Sequence, residues 1–269
     1  MRTNARDVWQ QVADLVAAGR PVAVATVVRT RGSVPRRPPA RMLVHPDGTT
    51  AGSVGGGEME AQVIAEAIAL LNGHETTKTL QYAFSDPKRG DVGVCGGEVE
   101  VMVEAIRPAP RVVVIGAGHV GREVVALAHW LEFDVTLTDD RPELCTPDAA
   151  PGADAYVVCD MSEVPERIRI DNATFVVLTT RSVHVDLGGL PTLLTTKPRY
   201  LGLIGSRRRW RVTAGRLREA GISDAAIATV TSPVGLELEA ETPKEIAMSI
   251  LSEIVMQLRG GTGRPMTKG

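Results

Sequence analysis

The chain has 269 residues, 43% of them apolar and 23% charged, and 30 Lys plus Arg stand against 32 Asp plus Glu for a formal net charge of −2. That length supports one or two domains with sizeable cores, and the charge balance excludes a disordered polyelectrolyte and a chain-wide basic footprint for nucleic acid. Three Phe, three Trp and three Tyr are too few for a stacking platform on single-stranded nucleic acid, and no run approaches the ~18 consecutive apolar residues of a membrane span. The three cysteines, Cys95, Cys145 and Cys159, include no C-x-x-C pair, so they fit neither a disulfide framework nor a zinc site, and a reducing cytoplasm is the simplest home.

Asn4 or Asp7 can cap an opening helix, in which Val8, Val12, Leu15 and Val16 recur at helical spacing until Gly19 and Pro21 end it. A strand is expected over 22–28, then a Gly- and Pro-containing loop over 29–41, then a hairpin from 42–44 through the Asp47-Gly48 turn. Gly55, Gly56 and Gly57 open a second helix carrying Met59, Val63, Ile64, Ala67, Ile68 and Leu71, which Asn72-Gly73 closes. Strands over 79–84 and 99–106 complete an N-terminal α/β or α+β domain, 1–106. Residues 107–110, Arg-Pro-Ala-Pro, read as a linker, because two prolines in four residues continue neither a ladder nor a helix.

After the linker, the β-branched run 112–115, a glycine turn, a helical pattern to Leu131 and a strand over 134–138 spell a βαβ unit. Further apolar runs at 156–158, 175–178 and 201–204, with helical stretches over 207–220 and 242–258, extend it to a doubly wound parallel α/β domain, 111–269.

Chemistry concentrates at glycines. Gly116-Ala117-Gly118-His119-Val120-Gly121 lies between a strand and a helix, the context in which G-x-G-x-x-G marks a Rossmann-like nucleotide site. Gly116 allows the tight turn, Gly118 lets backbone approach a phosphate, and Gly121 packs helix on strand. Asp139, 23 positions after Gly116, is placed to accept a ribose hydroxyl. The same pattern also suits a scaffold that holds no nucleotide, and His119 suits either a ligand contact or a local hydrogen bond.

In the first domain, Gly55 to Gly57 precede a helix whose first amides can hold an anion, and Arg29, Arg31, Arg36, Arg37 and Arg41 crowd the preceding loop. A flexible turn and a solvated arginine face are the alternatives. Cys95, followed by Gly96 and Gly97, offers a soft thiolate in a setting that admits close approach, or a small buried hydrophobe. Of the nearby acids, Glu60 stands one turn into the helix, facing the glycine run. Serine-hydrolase, zinc-protease and P-loop signatures are missing from the sequence.

These segments, taken together, resemble the xanthine dehydrogenase accessory factor family, XdhC/CoxI. The resemblance rests on TRGSVPR from Thr30, SVGGGEME from Ser53, VCGGEVEV from Val94, VVVIGAGHVGRE from Val112, TLTDDRPE from Thr136, LGLIGSRRR from Leu201 and SPVGLELEAETPKEIAMSI from Ser232. It implies an XdhC/CoxI-type N-terminal domain before a Rossmann-like one. It also implies a maturation factor, more than a turnover enzyme, that binds molybdenum cofactor (molybdopterin) and supports its sulfuration and insertion into xanthine dehydrogenase or a related molybdenum hydroxylase.

On that view Arg36, Gly55, Gly56, Gly57, Glu60, Cys95, Gly96 and Gly97 face the cofactor in the first domain or the interdomain cleft, with Cys95 the metal contact. Gly116, Gly118, His119, Gly121 and Asp139 take a nucleotide, NAD(P) or a nucleotide-like part of the ligand. A cysteine desulfurase and a second copy of the chain are further expected partners; nucleic acid and membrane are not. Glu58 stands where many relatives carry cysteine, and Val183 and Val185 where many carry histidines, so any role of those residues is lost here or moved to Cys95, Glu58 or His184. The rival reading is an NAD(P)-dependent oxidoreductase using the second glycine turn, although no proton donor is convincingly placed for it.

Overall fold

The computed structural model describes residues 5–73, 75–84 and 96–267, and the chain divides into two compact units, Met1–Pro108 and Ala109–Gly269. Among the described residues no helix is long and apolar enough to cross a membrane.

The first unit runs α1 (Ala5–Ala17), β1 (Val22–Arg31), β2 (Arg41–Val44), β3 (Thr50–Gly52), α2 (Gly57–Asn72), β4 (Thr77–Ala83) and β5 (Glu98–Ile106). Its five strands lie in the order β3-β2-β1-β5-β4 and every pairing is antiparallel. Strand alternation sends Ala23, Ala25 and Val27 to one face, where they join Val101 and Val103 under Met59, Val63, Ala67 and Leu70 of α2. Val22 and Val24 point the other way and pack on Val8, Val12 and Leu15 of α1. The first strand outlasts its expected end at residue 28. A register shift between Val27 and Arg29 leaves Val28 exposed, and Arg29, Thr30 and Arg31 still pair with Glu100, Val99 and Glu98.

The second unit contains β6 (Arg111–Ile115), α3 (His119–Trp130), β7 (Asp134–Asp139), β8 (Ala155–Val158), α4 (Val164–Arg167), β9 (Thr174–Leu178), α5 (Val183–Leu193), β10 (Tyr200–Leu203), α6 (Arg207–Glu219), α7 (Asp224–Ile227), β11 (Val230–Thr231) and α8 (Pro243–Arg259). The parallel sheet has the order β11-β10-β9-β6-β7-β8. Its central strand is buried on both faces: Val112 and Val114 pack with Val124 of α3 and Ile250 and Ile254 of α8, while Val113 and Ile115 pack with Leu190 of α5 and Leu217 of α6. Double burial is why 112–115 reads as an unbroken apolar run instead of an alternating one. The chain leaves β6 toward β7 in one direction and returns at β9 on the other side. That reversal makes β6 and β9 the switch point, where a crevice opens beyond the carboxyl ends of the strands.

Candidate ligand sites at the two glycine turns

Glycines of the second turn divide by what surrounds them. A Cβ on Gly116, whose φ is 114°, would stand 2.8 Å from the Thr179 carbonyl oxygen, and one on Gly121 would collide with the Gly116 carbonyl. Both are demanded by packing, and the Thr179 hydroxyl locks the turn by donating to the Gly116 carbonyl at 2.7 Å. Gly118 differs, because nothing beyond its own chain neighbours lies within 4 Å of its Cβ position. It is the N-cap of α3, where no side chain satisfies the first amides, so backbone donors border open space. His119 is exposed at the start of that helix.

Asp139 ends β7 with its carboxylate 2% exposed. One oxygen accepts the Ala117 N–H at 2.6 Å and Arg141 Nη2 at 2.9 Å. The other accepts the Arg141 N–H at 2.9 Å and Nε at 2.8 Å. Burial works to raise its pKa, but the Arg141 guanidinium and the two amides outweigh burial and bring it from the ordinary 3.8 to about 2. The residue expected to receive a ribose hydroxyl is thus already engaged in tying the glycine turn to the next loop. Beside it, Asp140 is 32% exposed and takes both terminal nitrogens of Arg181, at 2.7 and 2.6 Å. A cleft of about 340 Å³ opens here, with Gly116, Asp140, Arg141, Cys159, Thr180 and His184 on its walls.

A buried network that sequence reasoning did not single out includes Thr180, one of the residues lining this cleft. Asp186, fully buried on α5, accepts a short hydrogen bond from the Thr180 hydroxyl and faces Arg209 of α6. Arg209 Nη2 lies 2.8 Å from each carboxylate oxygen and Nε 3.0 Å from one, while Nη1 donates to the Thr180 carbonyl at 3.1 Å. The signal was present in Ser206-Arg207-Arg208-Arg209. Three cations in the first turn of a helix oppose its dipole by roughly 0.3–1 kcal/mol each, so at least one was due a strong partner. A second such group lies at α8, where Glu253 accepts from the Tyr200 hydroxyl at 2.6 Å and from the Gly235 N–H at 2.7 Å. Burial, then that hydrogen bond, pushes the Tyr200 pKa up.

In the first unit, the three motif segments meet at one end of the sheet. A Cβ on Gly32 would stand 2.8 Å from the Gly96 carbonyl oxygen, one on Gly97 would collide with the Ser33 carbonyl, and one on Gly55 would lie 3.4 Å from Pro35. Gly96 donates to the Phe84 carbonyl and Gly97 accepts from the Phe84 N–H, continuing the β4–β5 pairing. Cys95 lies outside the described residues, next to Gly96.

Glu60 serves the glycine run directly. Its Oε2 accepts from the Ser53 hydroxyl at 2.7 Å, the Gly56 N–H at 3.0 Å and the Val54 N–H at 3.1 Å. Burial opposes ionisation, yet these donors outweigh it and lower the Glu60 pKa. Part of the anticipated anion cradle is therefore filled by the protein's own carboxylate. What remains open is the tip: Gly56 and Gly57 have positive φ, nothing within 4 Å of their Cβ positions beyond the adjoining backbone, and no side-chain cap on α2. Of the loop arginines, Arg41 lies over the Trp9 ring at 5.3 Å, Arg29 is 3.9 Å from Glu100, and Arg36 and Arg37 are exposed. Among the described residues, no group of three or more His, Cys, Asp or Glu is placed to hold a metal ion.

Comparison with known proteins agrees with this architecture. A family model described as the XdhC Rossmann domain matches residues 112–254, and one described as the XdhC and CoxI family matches residues 15–83. The chain belongs to the XdhC family. It is similar to YqeB of Escherichia coli (strain K12), 33% identical over 97% of this chain, and spans 48% of that relative's length. It is also similar to the molybdenum cofactor insertion chaperone PaoD of the same strain, 24% identical over 93% of this chain and 87% of PaoD. A solved structure named as a xanthine dehydrogenase from Bacillus halodurans shares the fold, with a TM-score of 0.52 and 22% identity over 94% of this chain and 96% of that one.

Proposed function

We propose that this protein binds molybdenum cofactor in its first unit and supports the cofactor's sulfuration and insertion into xanthine dehydrogenase or a related molybdenum hydroxylase. The observation that carries this reading is the meeting of TRGSVPR, the Gly55–Gly57 run and Gly96-Gly97 at one end of an antiparallel sheet, with the glycine tip open. Fit is good at the level of donors. Backbone amides at the start of α2 and the Arg36 guanidinium suit a phosphate, and Cys95, one residue before Gly96, suits a soft metal or sulfur. Molybdenum cofactor, when bound, supplies the metal at which a terminal oxo ligand is exchanged for sulfur. Glu60 keeps the loop shaped for binding by holding Ser53, Val54 and Gly56.

The second unit, on this reading, receives a nucleotide or the nucleotide-like part of the ligand at Gly118. A cysteine desulfurase is the expected sulfur source, a second copy of the chain a further partner, and the cytoplasm the site of action; the free thiols of Cys145 and Cys159 accord with a reducing compartment. The relative named as an insertion chaperone supports the same class of activity.

The test is activation of a cofactor-free molybdenum hydroxylase by protein purified from a molybdenum-replete host, with released small molecules identified by mass spectrometry. A pterin and client activation are expected. Cys95→Ser should lower both while Cys145→Ser and Cys159→Ser do not, and Arg36→Ala should weaken retention roughly ten- to a hundredfold with little change in folding. Release of nicotinamide nucleotide with hydride transfer, and no pterin, would replace this reading by an NAD(P)-dependent oxidoreductase built on the open Gly118 turn.

A further inference from the structure

Helix α6 carries six arginines and one glutamate in 13 residues, in a chain whose formal net charge is −2. Two of the six are occupied, Arg209 by Asp186 and Arg218 by Asp224. Among the described residues, Arg207, Arg208, Arg211 and Arg216 have no carboxylate partner, and all four are exposed. Residues three and four apart share a side of a helix, so these arginines surround Val212, 46% exposed, and Gly215, away from the buried Thr213, Ala214 and Leu217. A Cβ on Gly215 would meet nothing beyond the backbone of its own helix, so another chain can come close there. The fold asks for none of this. Arg207 and Arg208 stand in the first turn, where cations oppose the helix dipole, and Gly215 weakens the helix interior.

The segment between β11 and α8 has the same layout with the opposite sign. Glu237, Glu239 and Glu241 are exposed around Leu238, itself 51% exposed. Among the described residues, none of these three carboxylates accepts a hydrogen bond or joins an ion pair. Glu239 has a φ of 51°, in the left-handed region that a residue other than glycine occupies at a cost. The base of the loop is fixed: the Val234 N–H donates to the Leu203 carbonyl and the Leu236 N–H to the Ser249 carbonyl, each at 3.2 Å. Leu203 ends β10, and α6 begins soon after it, so the acidic loop and the basic helix set out from the carboxyl ends of two neighbouring strands. Among the described residues, no ion pair joins the two within the chain.

We propose that these two patches are the halves of one self-complementary interface, on which a second copy of the chain docks with its 237–241 loop against α6 and its α6 against the loop. Two neighbouring patches of opposite sign that do not neutralise each other are brought together by a two-fold axis passing between them, and the contact is then made twice and closes. Val212 and Leu238 supply the apolar centres, and the arginines and glutamates the polar rim. A partner with only an acidic surface would engage the arginine half and leave Leu238 and its glutamates without a role. The interface rests on the reading that a second copy is a partner, and it is independent of cofactor binding in the first unit.

The experiment is sedimentation velocity of the full chain at low and high salt, beside thermal unfolding and pterin retention. The parent should sediment as a dimer at micromolar concentration in low salt and shift toward monomer as salt screens the rim. Arg208→Glu with Arg211→Glu, and separately Glu237→Arg with Glu239→Arg, should each weaken the dimer at least about tenfold by like-charge contact, at an unchanged melting temperature. Mixed in equal amounts, the two double variants should dimerise again, because the acidic α6 of one then faces the basic loop of the other while the unaltered patches face each other. A parent that is monomeric in low salt, a dimer that neither variant disturbs, or a mixture that stays monomeric would overturn the interface. A monomeric parent whose client activation falls in the arginine variant would likewise overturn it and give α6 to the client. Pterin retention separates the two readings: a monomeric parent that holds pterin sinks the interface alone, and a dimer that holds none sinks the cofactor reading alone.

Discussion

Arg209 wraps the Asp186 carboxylate from 23 positions further along the chain, with three donor contacts between 2.8 and 3.0 Å. The pair joins α5 to α6, and through Thr180 it reaches the end of β9, so it sets the spacing of these elements. Removing one member leaves the other buried without its counter-charge. Asp186→Ala should therefore cost about 3–5 kcal/mol in urea unfolding, whereas Arg181→Ala, which breaks a half-exposed pair with Asp140, should cost less than about 1 kcal/mol. Equal losses in the two variants would mean that Asp186 and Arg209 are no more than a surface-like pair.

Glu60 is expected to behave as a loop clamp. Glu60→Ala deprives the Ser53 hydroxyl and the Val54 and Gly56 amides of their common acceptor, and a loss of about 1–3 kcal/mol is expected from half-buried donors left unpaired. Glu60→Gln retains an oxygen and should lose less. Hydrogen exchange localises the effect: faster exchange is expected at Val54 and Gly56, with β1 and β5 unchanged. Uniform acceleration across the unit would instead place Glu60 in the global fold.

How far these features could be read from sequence depends on whether their causes are local. The run 112–115 and the glycine turn after it declare themselves, because double burial and backbone sterics act on consecutive residues. Helix α5 does not, since Gly188, Gly189 and Pro191 weaken any helical pattern. Gly189 is there because a side chain would collide with Met161, a contact visible only in three dimensions. The same distinction governs the site. Gly118 and the Gly55–Gly57 run were recognisable from what glycine permits, but the donors gathered by Asp139 come from both sides of a loop crossing. A carboxylate at a strand end looks the same in sequence whether it awaits a sugar or already holds an amide and a guanidinium.

Acid should reveal the Asp139 clamp. Its folded pKa, about 2, lies below the ordinary 3.8, so the stability it contributes is fully present above pH ~4 and is lost as pH falls through the folded value. The difference corresponds to about 2 kcal/mol. Asp139→Asn should reduce stability at pH 7 by an amount of that order and flatten the decline between pH 4 and 2 relative to the parent. Parallel pH curves for parent and variant, measured by denaturant unfolding at each pH, would show that the carboxylate titrates alike in both states.

The glycines of the second turn provide the sharpest separation between fold and ligand. Gly121→Ala puts a methyl group into the Gly116 carbonyl, and the strand–helix contact must open to admit it; overpacking of this kind typically costs about 1–3 kcal/mol. Gly116→Ala adds strain at a φ of 114° and a contact with the Thr179 carbonyl, so it too should lower the melting temperature. Gly118 has a φ of −70° and open space at its Cβ position, so alanine is accommodated there without strain. If that space exists for a phosphate, Gly118→Ala should fold like the parent and lose nucleotide affinity, because the new methyl group stands between the ligand and the amides of α3. Melting temperature and calorimetric affinity measured on all three variants decide the matter. Undiminished nucleotide binding by a well-folded Gly118→Ala protein would show that the phosphate does not approach this turn.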